Sequence, residues 1–151
     1  MPEIRPMEER HLPGVLAVEE ASFSTPWSHE AFAFELDNPL GVYLVAEEEG
    51  EVLGYGGFRF LFDQGDLTNI AVLPLYRGKG IGAAILLSLL KLALLKGVKE
   101  MFLEVRESNE AARRLYESFG FQAAGRRTGY YSRPSEDAII MKLEMKDVLQ
   151  Q

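Results

Sequence analysis

The sequence predicts a mixed α/β fold, and three observations lead to it. Strand-like apolar segments separated by short polar turns fill the region 42–73, which indicates an antiparallel meander. A glycine-rich turn and a long apolar helix pattern follow directly, and further strand and helix patterns occupy the rest of the chain. The 151 residues, of which 47% are hydrophobic, suffice for one core. We therefore expect a single domain over residues 1–151.

The first half of the chain carries two helix patterns and four strand patterns. Helices are expected over 8–21 and 28–37, and Ser28 is the residue type that caps a helix N-terminus. Glycines at 54, 56 and 57 indicate a bulge in the longest strand. Strands are expected over 3–7, 42–46, 52–62 and 67–73.

The second half begins with a long apolar helix pattern from Ile81. Gly97 is the residue type that ends such a helix. A strand over 100–106 and a helix over 109–119 follow. Two late strands, 121–125 and 138–143, are joined by a polar segment that contains Tyr130, Tyr131 and Pro134.

The turn before the long helix concentrates glycine and positive charge. The segment from Arg77 to Gly82 reads RGKGIG, so three of its six residues are glycines and two are basic. Glycine lets backbone N–H groups approach an anion closely, and a helix N-terminus adds a favourable dipole. A strand, a glycine turn and a helix start together predict a phosphate-binding site.

The pattern itself leaves the phosphate ligand open. A P-loop is excluded, because its Gly-Lys-Ser/Thr ending is absent. A dinucleotide turn fits Gly78, Gly80 and Ala83, although a preceding meander is unusual for that fold. A plain glycine turn that caps a buried helix also fits. The spacing of Arg77, Gly80 and Gly82 resembles the coenzyme A loop of the GNAT superfamily of N-acetyltransferases.

Composition limits the classes of partner and of chemistry. The chain has no cysteine, which excludes disulfides, thiolate metal ligands and a cysteine nucleophile. A net charge of −7 argues against direct nucleic acid binding and suits a cationic substrate. The start has no signal pattern and the apolar helix is short for a membrane span, so we expect a cytoplasmic protein without membrane contact. The apolar flanks of that helix suit a monomer or a weak homodimer.

A second group of polar residues follows the long helix. The strand over 100–106 places Glu104 and Arg106 on one face, where Glu104 either pairs with Arg106 or faces a cleft. On the next helix, Asn109 and Tyr116 lie on nearly one stripe, which suits an extended ligand. A half-buried tyrosine with its hydroxyl in water is the simpler interpretation of Tyr116.

The segment LEVRESNEAARRLYESFGF is similar to the fourth motif region of the GNAT superfamily, especially of its RimI family, which acetylates the N-terminal alanine of a small-subunit ribosomal protein. Phe23, the Pro26-Trp27-Ser28 turn, the NIAV strand, Tyr130-Tyr131 and the EDAIIM strand are further RimI-like features. The resemblance covers nearly the whole chain. It implies a mixed, largely antiparallel central sheet that splays between two strands, with helices on both faces.

The resemblance also implies site residues and a reaction. It makes Glu104 the catalytic carboxylate and Tyr116 the catalytic tyrosine, and it places an acceptor N-terminus between Tyr130 and Tyr131. Acetyl-CoA would be the co-substrate, without a metal, and a protein N-terminus the acceptor. Acetyl-CoA contacts fall on Ile70, Ala71, Val72, Arg77, Gly78, Lys79, Gly80, Ile81, Gly82, Ala83 and Asn109.

Two alternatives to N-terminal acetylation remain. The same chemistry could act on a lysine side chain or a small-molecule amine, or the chain could be a non-catalytic acetyl-CoA sensor. One departure from the family pattern concerns the acceptor contacts, because Thr128-Gly129 stands where a polar residue is expected beside the tyrosines.

Overall fold

A computed structural model describes residues 1–150, and the side chains of residues 1–148. The described chain forms seven strands and four α-helices, which confirms the mixed α/β class. Short 3-10 helices occupy Glu9–His11, Pro74–Tyr76 and Met145–Gln150. In chain order the main elements are β1 (Glu3–Pro6), α1 (Leu12–Ser22), α2 (His29–Leu36), β2 (Gly41–Glu48), β3 (Glu51–Leu61), β4 (Gln64–Val72), α3 (Ile81–Leu95), β5 (Glu100–Arg106), α4 (Glu110–Ser118), β6 (Gln122–Tyr131) and β7 (Glu136–Glu144).

The described chain divides into two compact units. The first comprises Met1–Arg59 and Thr68–Leu92, and the second comprises Phe60–Leu67 and the chain from Ala93 onward. Strands β3 and β4 and helix α3 each contribute residues to both units. None of the helices described is both long and apolar enough to cross a membrane.

The first unit is built on an antiparallel meander in the order β1-β2-β3-β4. The register between β2 and β3 shifts at Ala46 and Glu47, whose partners are Gly54 and Val52. Leu53 is therefore the extra residue of a bulge in β3, as the glycine-rich sequence predicted.

The close approach of β4 and α3 to β3 depends on Gly54 and Gly56. A Cβ on Gly54 would lie 2.8 Å from the Ala71 carbonyl oxygen of β4, and a Cβ on Gly56 would lie 2.7 Å from Ile85 of α3. These distances are shorter than a carbon–carbon or carbon–oxygen contact allows. The glycines thus let β4 and α3 approach the middle of β3.

The N-terminal helices differ slightly from their predicted limits. The expected helix over 8–21 starts with the 3-10 turn Glu9–His11, and Pro13 stands in the first turn of α1, where its missing N–H matters least. The Ser28 cap is confirmed, because the Ser28 Oγ accepts a hydrogen bond from the Ala31 N–H at 3.2 Å.

The second unit has the strand order β4-β5-β7-β6. Strands β4 and β5 are parallel and pair over Gln64–Asp66 with Glu100–Phe102, and both strands continue beyond this short register. Strand β5 pairs along its whole length with β7, and β7 pairs with β6, both in antiparallel fashion. The predicted largely antiparallel character is confirmed.

Strand β6 corrects a predicted boundary. It runs to Tyr131, so the two tyrosines expected in a polar linker lie at the end of a strand. Its residues are almost all exposed, so no apolar alternation revealed it. The strand forms because β7 supplies backbone partners, and Tyr131 lies opposite Glu136.

Candidate functional site

In the first unit, the end of β4 leads through a tight turn into α3. Gly78 and Gly80 have φ values of 76° and 84°, a left-handed conformation that glycine adopts without strain. A Cβ at either position would meet nothing within 4 Å, so the space beside the backbone is open. The glycines are required by backbone conformation, and they leave the turn accessible to a ligand.

The N-terminus of α3 provides the donors for such a ligand. The Ala84 N–H donates to the Gly80 carbonyl at 3.0 Å, which begins the helical hydrogen bonds. The N–H groups of the first turn have no intrahelical partner, and that turn carries no acidic residue. Lys79 lies on the turn with its Nζ 5.6 Å from the Tyr76 ring centroid. Donors, dipole and charge all fit the phosphates of acetyl-CoA.

Arg77 holds the turn in place. Its Nε donates to the Val72 carbonyl at 2.8 Å and its Nη2 donates to the Ser22 Oγ at 3.2 Å. The guanidinium therefore connects the glycine turn to the last residue of β4 and to the end of α1. This fixes the loop, whereas the sequence suggested only a positive charge beside the phosphate.

In the second unit, Glu104 lies in the middle of β5. Buried and half-buried residues alternate along this strand, as the sequence predicted, and Glu104 is on the half-buried face. The proposed pair with Arg106 is wrong. The Glu104 Oε1 instead lies 3.2 Å from the Arg127 Nε on β6, and Arg106 pairs with Glu136 of β7 at 3.2 Å.

Tyr116 on α4 is buried rather than half-buried, with only 6% of its surface exposed. Its ring packs edge-on against Phe121 at 5.7 Å between centroids. Burial raises the pKa of Tyr116 above its ordinary value, and the nearby Tyr131 adds to this effect. The hydroxyl therefore keeps its proton at neutral pH.

Tyr130 and Tyr131 form an edge-to-face pair at 5.0 Å between ring centroids. Burial, followed by the charges around it, raises the pKa of Tyr131 to about 12, and the Glu104 carboxylate is one of these charges. The Arg106 guanidinium lies 4.5 Å from the Tyr131 ring centroid. Glu104, Tyr116 and Tyr130 thus all interact with Tyr131, and we call these four residues the carboxylate cluster.

Asn109 occupies the N-cap of α4. Its Oδ1 accepts a hydrogen bond from the Ala112 N–H at 3.2 Å, so this oxygen is engaged within the protein. The side-chain NH₂ group is the part that could reach a ligand.

Gly129, in the segment where the sequence departs from the expected pattern, has a backbone conformation that favours glycine. Its φ is 63°, and its N–H donates to the Asp137 Oδ1 at 2.8 Å. The register between β6 and β7 shifts over this stretch, between Arg127 and Tyr131. A glycine therefore shapes the irregularity that presents the two tyrosines.

Arg127 is a contact of the carboxylate cluster that sequence reasoning missed. It is separated from Glu104 by 23 residues in the sequence. The two residues meet because the strand order β5-β7-β6 places their strands only one strand apart, so that their side chains reach each other across β7. No local pattern signals such a contact. Among the described residues, no group of three or more acidic or histidine side chains could hold a metal ion.

Comparisons with known proteins point to one family. The model of the acetyltransferase (GNAT) family matches residues 12–121. Ribosomal protein bS18-alanine N-acetyltransferase of Escherichia coli K12 is 38% identical over 144 residues, 93% of this chain and 95% of that protein. N-alpha-acetyltransferase RimI of Mycobacterium tuberculosis H37Rv is 39% identical over 127 residues, 81% and 78% of the two chains.

A solved structure shows the same likeness in three dimensions. The crystal structure of the ribosomal-protein-S18-alanine N-acetyltransferase from Escherichia coli superposes with a TM-score of 0.88 at 35% identity, over 96% of this chain and 94% of that one. The family model, the relatives and the solved structure agree, and the chain belongs to the GNAT family of acetyltransferases.

Proposed function

We propose that the chain transfers the acetyl group of acetyl-CoA to the α-amino group of a protein N-terminus, namely the N-terminal alanine of ribosomal protein bS18. The observation that carries the proposal is the carboxylate cluster, where Arg127 links Glu104 to the Tyr130–Tyr131 pair, and Glu104 and Tyr116 both interact electrostatically with Tyr131. The names of the relatives support the acceptor. Such an acceptor would place the reaction in the cytoplasm.

Acetyl-CoA binding falls to the glycine turn. The N–H groups from Gly78 to Ala83 would receive the pyrophosphate, with Arg77 fixing the turn and Lys79 adding charge. Backbone groups of Ile70–Val72 would pair with the pantetheine amides, and a donor near Ala71 would stabilise the developing oxyanion. The Asn109 NH₂ group would add a polar contact.

The reaction is a direct transfer. The amine nitrogen forms a bond to the thioester carbonyl carbon, and the carbon–sulfur bond then breaks. An α-ammonium group has a reference pKa of about 7.7–8.0, so Glu104, directly or through water, can take its proton near neutral pH. Tyr116 gives its proton to the departing thiolate. The absence of cysteine agrees with a route that forms no acyl-cysteine intermediate.

Edge-to-face tyrosines suit an N-terminal acceptor. Tyr130 and Tyr131 present aromatic surface, and Glu104 presents negative charge near Tyr131. An ammonium group is attracted by both. The protein's net charge of −7 favours the approach of a basic protein.

Intact-mass analysis of a peptide panel tests the proposal. Peptides that differ only in their first residue are incubated with acetyl-CoA, beside a copy with a blocked N-terminus and an internal lysine. We expect one acetyl group on the free peptides, fastest with alanine first, and none on the blocked copy. Modification of lysine or of small amines alone would contradict the proposal, and binding without any transfer would favour a sensor.

A further inference from the structure

Arg127 occupies the place where a substrate cation would be recognised. Its Nε lies 3.2 Å from the Glu104 Oε1, and its guanidinium carbon lies 5.8 Å from the Tyr130 ring centroid. A carboxylate and an aromatic face are the two groups that attract an ammonium ion. Arg127 therefore contacts both partners that the proposed function assigns to the acceptor N-terminus.

The two neighbouring arginines are held by other partners. Arg126 bonds to Glu107 and to Asp137, and these contacts raise its pKa. Arg106 donates to the carbonyl groups of Ser132 and Pro134 besides its pair with Glu136. Each of these two arginines is fixed by at least two acceptors.

Arg127 is held less firmly. Its side chain is 55% exposed, and its described polar contact is the single bond from Nε to Glu104. Exposed ion pairs and exposed cation–π contacts are individually weak, because water competes for the charged groups. The guanidinium can therefore leave Glu104 for solvent at a small energetic cost.

We propose that Arg127 is a displaceable counter-ion of Glu104, which occupies the acceptor subsite in the free enzyme and leaves when the substrate ammonium binds. The inference rests on the proposed function. The incoming ammonium ion takes over the pair, and Glu104 becomes the base for the proton that this ion itself carries.

The arrangement favours termini that carry a positive charge. A peptide with an acetylated N-terminus has no cation to exchange for the guanidinium, so it gains nothing from displacement. Arg127 would in this way oppose retention of the product, since the guanidinium can return to Glu104 once the terminus is acetylated.

Calorimetry of peptide binding to the CoA-loaded enzyme tests the inference without turnover. An alanine-first peptide and its N-acetylated copy are titrated into wild type and into Arg127→Gln. We expect the free peptide to bind about threefold to tenfold more tightly to Arg127→Gln than to wild type. This is the range expected when binding no longer has to break one weak ion pair and one weak cation–π contact. The affinity for the acetylated copy should not change. Arg126→Gln, the matched control from the adjacent position, should bind the free peptide as wild type does.

A double variant locates the effect. In the Glu104→Gln background, Arg127→Gln should give no further gain, because the pair is already lost. Weaker or unchanged binding of the free peptide to Arg127→Gln would overturn the inference, as would a gain that persists without Glu104 or with the acetylated peptide. A wild type that acetylates no α-amine would overturn the proposed function instead, and the peptide panel reports this separately.

Discussion

The Oδ1 of Asn109 accepts a hydrogen bond from the backbone N–H of Ala112, so a residue expected to contact acetyl-CoA also caps helix α4. The two roles use different atoms and can be separated. Asn109→Ala should lower the free energy of unfolding by about 1 kcal/mol, the usual effect of losing a cap. Asn109→Asp should keep the cap and lose only the NH₂ donor.

If Asn109 also binds acetyl-CoA, both variants lose affinity in calorimetry, while urea unfolding shows a loss of stability in the alanine variant alone. Full acetyl-CoA affinity in a stable Asn109→Asp protein would confine this residue to its structural role.

Arg77 gives a second prediction, because its guanidinium bonds to both Val72 and Ser22. A lysine keeps the charge but lacks the planar set of donors. We expect Arg77→Lys to bind acetyl-CoA about tenfold more weakly, on the order of 1.4 kcal/mol, because the turn loses two charge-assisted hydrogen bonds. Ser22→Ala removes one of them and should have a smaller effect. Wild-type affinity in Arg77→Lys would mean that charge alone matters.

Glu19 on α1 is a buried carboxyl group. Its Oε2 accepts a hydrogen bond from the Trp27 N–H at 2.8 Å, and its Oε1 accepts one from the Tyr55 hydroxyl. Burial raises the pKa of Glu19 above the ordinary value of 4.5, and the two hydrogen bonds offset part of this shift. The folded state therefore binds this proton more tightly than the unfolded chain does.

Stability should consequently fall as the pH rises from about 4.5 through the raised pKa of Glu19. The pKa values of Asp137 and Glu136 are lowered in the folded state, so these two residues make stability rise with pH. Their effect is confined to pH values below their ordinary pKa values. Urea unfolding of wild type and Glu19→Gln from about pH 4.5 to about pH 7.5 measures the difference. The wild-type free energy of unfolding should decline relative to the variant, and parallel curves would remove Glu19 from this account.

The sequence predicted best where structure is set locally. The glycine turn, the start of α3 at Ile81 and its end shortly before Gly97 follow from patterns within a few residues, and the structure has all three. The alternation along β5 was likewise readable, because burial on one face imposes a period of two.

Contacts across strands were not readable in the same way. The pairing of Glu104 with Arg127 depends on the order β5-β7-β6, and the length of β6 depends on backbone partners in β7. Tyr116 is buried because the chain turns at Gly120 and returns Phe121 against its ring. Each of these features follows from packing between elements, which one segment of sequence does not specify.

The roles of Glu104 and Tyr116 are the centre of this account, and they predict different pH dependence. Glu104→Gln should lose most activity at low pH and recover as the free amine becomes abundant above its pKa of about 7.7–8.0. Tyr116→Phe should not recover, because raising the pH does not replace a proton donor for the thiolate. Both variants should keep acetyl-CoA affinity, since neither role concerns ground-state binding.

The decisive measurement is kcat/KM against pH for wild type, Glu104→Gln and Tyr116→Phe with an alanine-first peptide. We expect losses of about 10² to 10⁴-fold near neutral pH, the usual contribution of general acid–base catalysis, and profiles that converge on wild type at high pH only for Glu104→Gln. Parallel profiles for the two variants, or rates within about threefold of wild type, would contradict the assigned roles.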